Sequence, residues 1–182
     1  MKFHAVLLWL ICCSIAEAKT GADDYRQLTK IDQLPVAIDP AFQFRKTKLF
    51  SLGDIPGGSV AKRFQTGRTG QRDPSVGFES AYRLYGAVTE LDKRQRYGNY
   101  FDFFWRVKRP AAVTVRLEYQ QEKLRSFTQA REVTYANVRG HVKTEFAVIG
   151  DDFLNDGRVL AWRCLLIEKG RIVAEDRSSL WR

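Results

Sequence analysis

Residues 159–167 (VLAWRCLLI), 168–170 (EKG) and 171–177 (RIVAEDR) decide the fold. The first run is strongly strand-forming, the middle can turn the chain, and the last returns. Together they predict a β-hairpin near the C-terminus. A three-residue loop with Gly170 last suits a type I turn followed by a left-handed residue. Leu166 would then face Ile172, Cys164 would face Ala174, and Trp162 would face Asp176. Arg163 would sit opposite Glu175 on the other face. One face is mostly apolar and the other carries an ion pair, as a half-buried antiparallel pair requires. A two-residue loop would shift the pairing and lose that match.

Outward from the hairpin, residues 78–182 carry strand signals with period two. Tyr82, Leu84 and Val88 share one face of a first strand. Phe101, Phe103, Trp105 and Val107 line a second, and Val113, Val115, Leu117 and Tyr119 a third. Val133 and Tyr135 mark a shorter one. Val142, Thr144, Phe146 and Val148 line the next, and the closing hairpin completes seven. No long helix is visible in this half. The expected class is all-β: a seven-stranded antiparallel sandwich, with a lipocalin-like barrel as the alternative.

Residues 19–77 are poorer in sheet pattern and rich in Gly and Pro, as at Gly57-Gly58 and in residues 66–72. They form a loop-rich N-terminal arm before a domain spanning 78–182. Asp23 and Asp24 are placed to cap a short helix at Tyr25 to Leu28. Phe42, Phe44, Leu49, Phe50 and Leu52 would be out of place in a solvated tail, so this piece should dock.

Residues 1–18 read as a secretory signal peptide: Lys2, an apolar run from Ala5 to Ile15, and the small-x-small site Ala16-Glu17-Ala18. The run is shorter than the roughly 20 residues that span a bilayer. A lipoprotein modified at Cys13 is the competing reading, disfavoured by Cys12 where a small residue belongs. Cleavage after Ala18 removes two of the three cysteines. The expected protein is exported, periplasmic or secreted, without a transmembrane segment in the mature chain, and Cys164 has no partner for a disulfide within the chain. No Asn-x-Ser/Thr acceptor occurs.

Trp105 before Pro110, then Val115, Leu117 and Tyr119, resembles the second and third strands of a fibronectin type III or broader immunoglobulin-like domain. Leu154-Asn155-Asp156-Gly157 before Leu160, Trp162 and Cys164 is similar to that family's approach to its sixth strand. The resemblance implies an immunoglobulin-like sandwich. The tyrosine expected near Leu160 is missing, and so is the cysteine pair of antibody-type domains.

Catalytic chemistry has few candidates. A hydrolytic triad needs an imidazole base, and His141 is the one histidine after the leader. It falls on the outward face of its strand. Zinc sites need several Cys or His ligands. Asp151, Asp152, Asn155 and Asp156 form the densest acidic cluster, but their spacing matches no calcium loop, and Asn and Asp before Gly serve plain turns. No catalytic residue, cofactor or metal site is therefore assigned.

What remains is a surface. The net charge is +9, spread along the chain. If strands one, two and five share a sheet, as the resemblance implies, Arg83 and Tyr85 gather with Tyr100, Phe104, Arg106 and Lys108, and with His141 and Lys143. The expected partner-binding strip is Arg83, Tyr85, Phe104, Arg106, Lys108 and Lys143. Basic residues interleaved with aromatics bind polyanions, sugars or proteins. The sequence therefore points to an exported non-catalytic binding or structural module, its partner an envelope or extracellular protein or an anionic polymer. The alternatives are an enzyme with an unrecognised site and a polyanion- or polysaccharide-binding protein.

Overall fold

A computed structural model describes residues 25–53 and 74–182. The leader expected at residues 1–18, Asp23 and Asp24, and the Gly-rich residues 54–73 lie outside them. The chain is all-β in character. Six strands form one antiparallel sheet: β1 Arg26–Leu28, β2 Phe42–Leu52, β3 Gly98–Gln121, β4 Thr128–Ile149, β5 Val159–Glu168 and β6 Arg171–Arg177. Among the described residues three helices accompany them: α1 Pro74–Arg83, α2 Glu90–Arg96 and α3 Asp151–Asp156. No helix among the described residues is long and apolar enough to cross a membrane.

The sheet is organised by the β3–β4 hairpin, whose strands run 24 and 22 residues. The two strands expected around Phe103 and Leu117 are one strand. Phe101, Phe103, Trp105 and Val107 have the same parity as Val113, Val115, Leu117 and Tyr119, so a continuous strand turns both rows to the same interior. Between them the β3–β4 register slips twice, on either side of Ala111. Pro110, without an N–H, lies in this irregular stretch and is exposed. β2 pairs with β3 before the irregularity, and β5 pairs with it after.

The two halves of the sheet curl over one core. The Trp162 ring on β5 meets Phe103 at 5.5 Å and Phe101 at 6.1 Å, both edge-on. The Thr47 hydroxyl on β2 donates to Asp176 on β6. Trp105 is fully buried, and its indole N–H is satisfied by the Thr144 hydroxyl at 2.9 Å. That partner removes the cost of burying the indole donor.

Four expectations need correction. The first strand expected at Tyr82 to Val88 is instead the end of α1 and the turn after it. Pro74 opens the helix, where its missing N–H costs nothing. Glu79 and Arg83 pair at i,i+4 across 2.8 Å. The alternation of Tyr82, Leu84 and Val88 therefore did not report a strand. The strands expected at Val133–Tyr135 and Val142–Val148 are likewise one, β4, so residues 78–182 hold four strands where seven were expected, and β1 and β2 bring the described residues to six.

The closing hairpin forms, with Trp162, Cys164 and Leu166 inward, but in a different register. Glu168 pairs with Arg171, so the loop is two residues, with Lys169 at φ 50° and Gly170 at φ 73°. Both positive values fit the type I′ turn that matches strand twist. The register shifts again between Leu166 and Ile167. Leu166 therefore faces Ala174, Cys164 faces Asp176, and Arg163 faces Arg177 rather than Glu175.

The helix expected near Tyr25 is strand β1, where Arg26 to Leu28 pair with Glu132 to Ala130. The region 19–77 also supplies β2, which pairs with β3 from Phe42↔Val107 to Leu52↔Gly98. Phe42 is buried and Phe44 packs against the same core, so the core is not confined to residues 78–182. A register shift between Phe44 and Lys46 breaks the alternation that would have announced β2.

Candidate partner surface

The expected strip maps onto the outer face of the β2–β3–β4 layer. Cross-strand register sets the rows. Gln43, Arg106 and His141 form one, and Lys46, Phe104 and Lys143 the next. Lys48, Asp102 and Glu145 follow, then Phe50, Tyr100 and Ala147. The sequence reading reached the β3 and β4 members. It missed Lys46 and Lys48, because the β2 irregularity hides that these side chains share the face of Phe104.

Phe104 lies between two ammonium groups, Lys143 Nζ at 5.6 Å and Lys48 Nζ at 5.7 Å from the ring centroid. Both are within reach of a cation–π attraction. Lys46, Lys48, Arg106, Lys108, His141 and Lys143 are exposed, whereas Phe104 is half-buried. Lys143 also pairs with Asp102 at 3.1 Å and contacts Glu145. Burial works against the Lys143 charge, but the bonds to Glu145 and Asp102 outweigh it and raise its pKa. The lysine is held cationic and in place.

Arg83 reaches this face from the end of α1 rather than from a strand. Its guanidinium stacks on Tyr100 at 4.4 Å and pairs with Asp102 at 3.5 Å. Asp102 thus joins Arg83 to Lys143. Beneath the helices Leu84 and Tyr97 pack on Leu52, Tyr100 and Ala147. Thr89 caps α2, accepting from the Asp92 N–H at 3.1 Å while Asp92 accepts from the Thr89 N–H at 2.8 Å.

Tyr85 is not on the sheet. It sits in the turn after α1, 85% exposed, and its carbonyl accepts from Arg96. Phe78 and Tyr82 on α1 are exposed as well. Five expected strip residues therefore come together on or beside one sheet face, and Tyr85 stands beside them on a different element.

The remaining candidates carry other roles. Cys164 is fully buried, and burial, with Asp176 nearby, holds its thiol well above the ordinary value. The residues Asp151–Asp156 form α3, with Gly157 at φ 85° behind it. Asp152 binds Arg131 from this helix. Among the described residues no three His, Cys, Asp or Glu side chains are grouped to hold a metal ion. No family model matches the chain, and neither a curated protein nor a solved structure does so.

Proposed function

We propose that this is an exported, non-catalytic module that binds an acidic partner through the outer face of β2, β3 and β4. The observation that carries the reading is the exposed row Lys46, Phe104 and Lys143, with Lys48, Arg106 and Lys108 around it. Five exposed cations share this face with one aromatic ring, two of them, Lys48 and Lys143, within cation–π reach of it, and the carboxylates Asp102 and Glu145 are shared with Lys143 and Arg83. An anionic polymer or the acidic surface of an envelope protein would meet charge complementarity and an apolar anchor together. Export rests on the leader pattern of residues 1–18. Sequencing of the mature N-terminus should begin at Lys19; an intact Met1 or a lipidated Cys13 would refute that part.

As a fold reading, an immunoglobulin-like sandwich is supported by the inward row of Trp105, Leu117, Tyr119, Trp162 and Cys164. It is opposed by the single hydrogen-bonded sheet that joins all six strands, five along the path β1-β4-β3-β5-β6 and β2 branching from β3.

The binding test begins with affinity capture of a partner from the source cell envelope. Charge contacts weaken with salt, because the screening length falls from about 10 Å at 0.1 M to about 3 Å at 1 M. Reversing Arg106 and Lys108 to Glu should weaken binding mainly at low salt. Phe104→Ala should weaken it at all salts, since apolar burial is not screened. Both proteins should melt as the parent does. If the captured partner binds both variants as it binds the parent, this face is an ordinary solvated surface.

A further inference from the structure

The opposite end of the sheet holds a second feature, on the outer side of β3, β5 and β6. The chain between β1 and β2 crosses this face as a strap. The Asp32 carbonyl accepts from Arg116 at 3.2 Å, and the Pro35 carbonyl accepts from the Ile172 N–H at 2.9 Å. Leu34 packs on Leu165, Ile167 and Ile172. Strap and sheet enclose a half-open groove of about 260 Å³. Its aliphatic lining is Ile31, Leu34, Val36, Leu165 and Ile172, its charged lining Arg116, Glu118 and Arg163, and the strap adds Gln33 and Asp32, the latter paired with Lys30 at 3.3 Å.

The charged lining belongs to a chain of ion pairs. Arg163 binds Glu118 at 2.8 Å, and Glu118 lies 3.7 Å from Arg116. Arg116 binds Glu132 at 2.7 Å, and Glu132 lies 3.5 Å from Arg26. Three guanidiniums therefore share two carboxylates, and one positive charge is left over. Both ends of the chain are under-committed: Arg26 meets Glu132 only at 3.5 Å and stands in solvent, and Arg163 faces the groove. Arg163 commits Nε to Glu118, and among the described residues no hydrogen bond or ion pair reaches its two terminal nitrogens. Trp181 lies 5.0 Å from the guanidinium, within cation–π reach. The cross-strand neighbour of Arg163 is Arg177, also without an ion pair among the described residues. Like charges directly opposite on a sheet repel. An anion between them would relieve that repulsion.

We propose that this groove binds a small aliphatic carboxylate, its head on Arg163 and its tail along the aliphatic walls. A guanidinium fork with free terminal donors matches a carboxylate in a bidentate geometry. A groove of about 260 Å³ lies near the small end of the roughly 300–1,000 Å³ of small-ligand sites. That admits a short-chain monocarboxylate and is too small for a two-chain lipid. An inorganic anion would satisfy the arginine and leave the aliphatic walls without a partner.

The experiment is calorimetric titration of the full mature protein with octanoate and, separately, with 1-octanol. Octanoate should bind saturably at one site and raise the melting temperature. Octanol should bind about tenfold more weakly or worse, because it offers the fork no charge. Arg163→Gln should weaken octanoate by about tenfold or more. Should that variant fail to fold with Glu118 buried, Val36→Glu decides. Val36 is 65% exposed at the groove mouth, so the change leaves folding intact, and its charge should repel the carboxylate by a similar factor. Absence of saturable octanoate binding, equal binding of octanol, or unchanged binding to Val36→Glu would each overturn the proposal.

Discussion

Trp162 and Arg163 are adjacent, and the strand sends them to opposite faces. Trp162 fills the core between Phe101 and Phe103. Trp162→Ala should cost about 3–5 kcal/mol in urea unfolding, by lost transfer energy and the cavity left behind. Arg163 is more than a surface charge, since its partner Glu118 is only 2% exposed. Removing Arg163 leaves that carboxylate with Arg116 at 3.7 Å. Arg163→Ala should therefore cost about 1–3 kcal/mol, above the ~0–1 kcal/mol of an exposed pair. A smaller loss would mean that Glu118 is solvated. Cys164 gives a third outcome at this scale. A buried thiol with a raised pKa offers little thiolate to a reagent. It should stay unlabelled in the native protein and react fully once urea unfolds it. Rapid native labelling would contradict the burial.

At the scale of elements, the hairpin turn and the start of β3 make opposite demands. Lys169 holds a left-handed conformation at φ 50° in the two-residue loop. Such a conformation costs a β-carbon-bearing residue about 1–2 kcal/mol, least for Asn. Lys169→Asn should thus raise stability by up to about 1 kcal/mol, read as a higher melting temperature; a fall would exclude a type I′ turn. Gly98 has no such freedom to exploit. A Cβ there would lie 2.1 Å from the Val148 carbonyl oxygen and 2.7 Å from the Ile149 Cα. Gly98→Ala must push β3 and β4 apart at the open end of their hairpin, and should abolish the cooperative melt or lower it severely. A parent-like melt would show that β4 can yield.

Over the whole molecule, the N-terminal strap and β2 bind the two halves of the sheet together. Arg109 holds the strap to β5, bonding Glu168 at 2.6 Å and Asp39 at 3.1 Å. The Arg109 bond holds Glu168 below its ordinary pKa of 4.5. The Ala41 N–H, and then Arg109, hold Asp39 below 3.8. A carboxyl depressed in the folded state contributes fully above its unfolded-state pKa and loses that contribution as pH falls through its folded value. The clamp should therefore be complete above about pH 5 and weaken on acidification below it. Melting curves across that window should fall less steeply for Arg109→Met than for the parent. Parallel slopes would mean that the clamp does not contribute. Deleting residues 1–77 removes β2, with Phe42 and Phe44 from the core. The remaining fragment should lack a cooperative melt, and a parent-like melt would show the core self-sufficient.

What the sequence determined by itself is the division of faces. The odd-numbered rows from Phe101 to Val107 and from Val113 to Tyr119 are interior, Trp162, Cys164 and Leu166 are interior, and Phe104, Arg106, Lys108 and Lys143 point away from them. Period two is a local property of extended backbone, so it is written in the residues themselves. Tertiary structure decided partners and register. The sequence contained Lys46 and Lys48, but only pairing of β2 with β3 puts them beside Phe104. It contained Arg163 and Glu118, but only the long β3 strand sets them side by side, and only the two-residue turn with its later register shift puts Arg177 opposite Arg163. It contained Arg83, but docking of α1 delivers it to Asp102. Each of these contacts joins residues of different elements, and each depends on a bend, a slip or a turn. One such event reassigns every pairing beyond it, while the alternation along the chain reads the same.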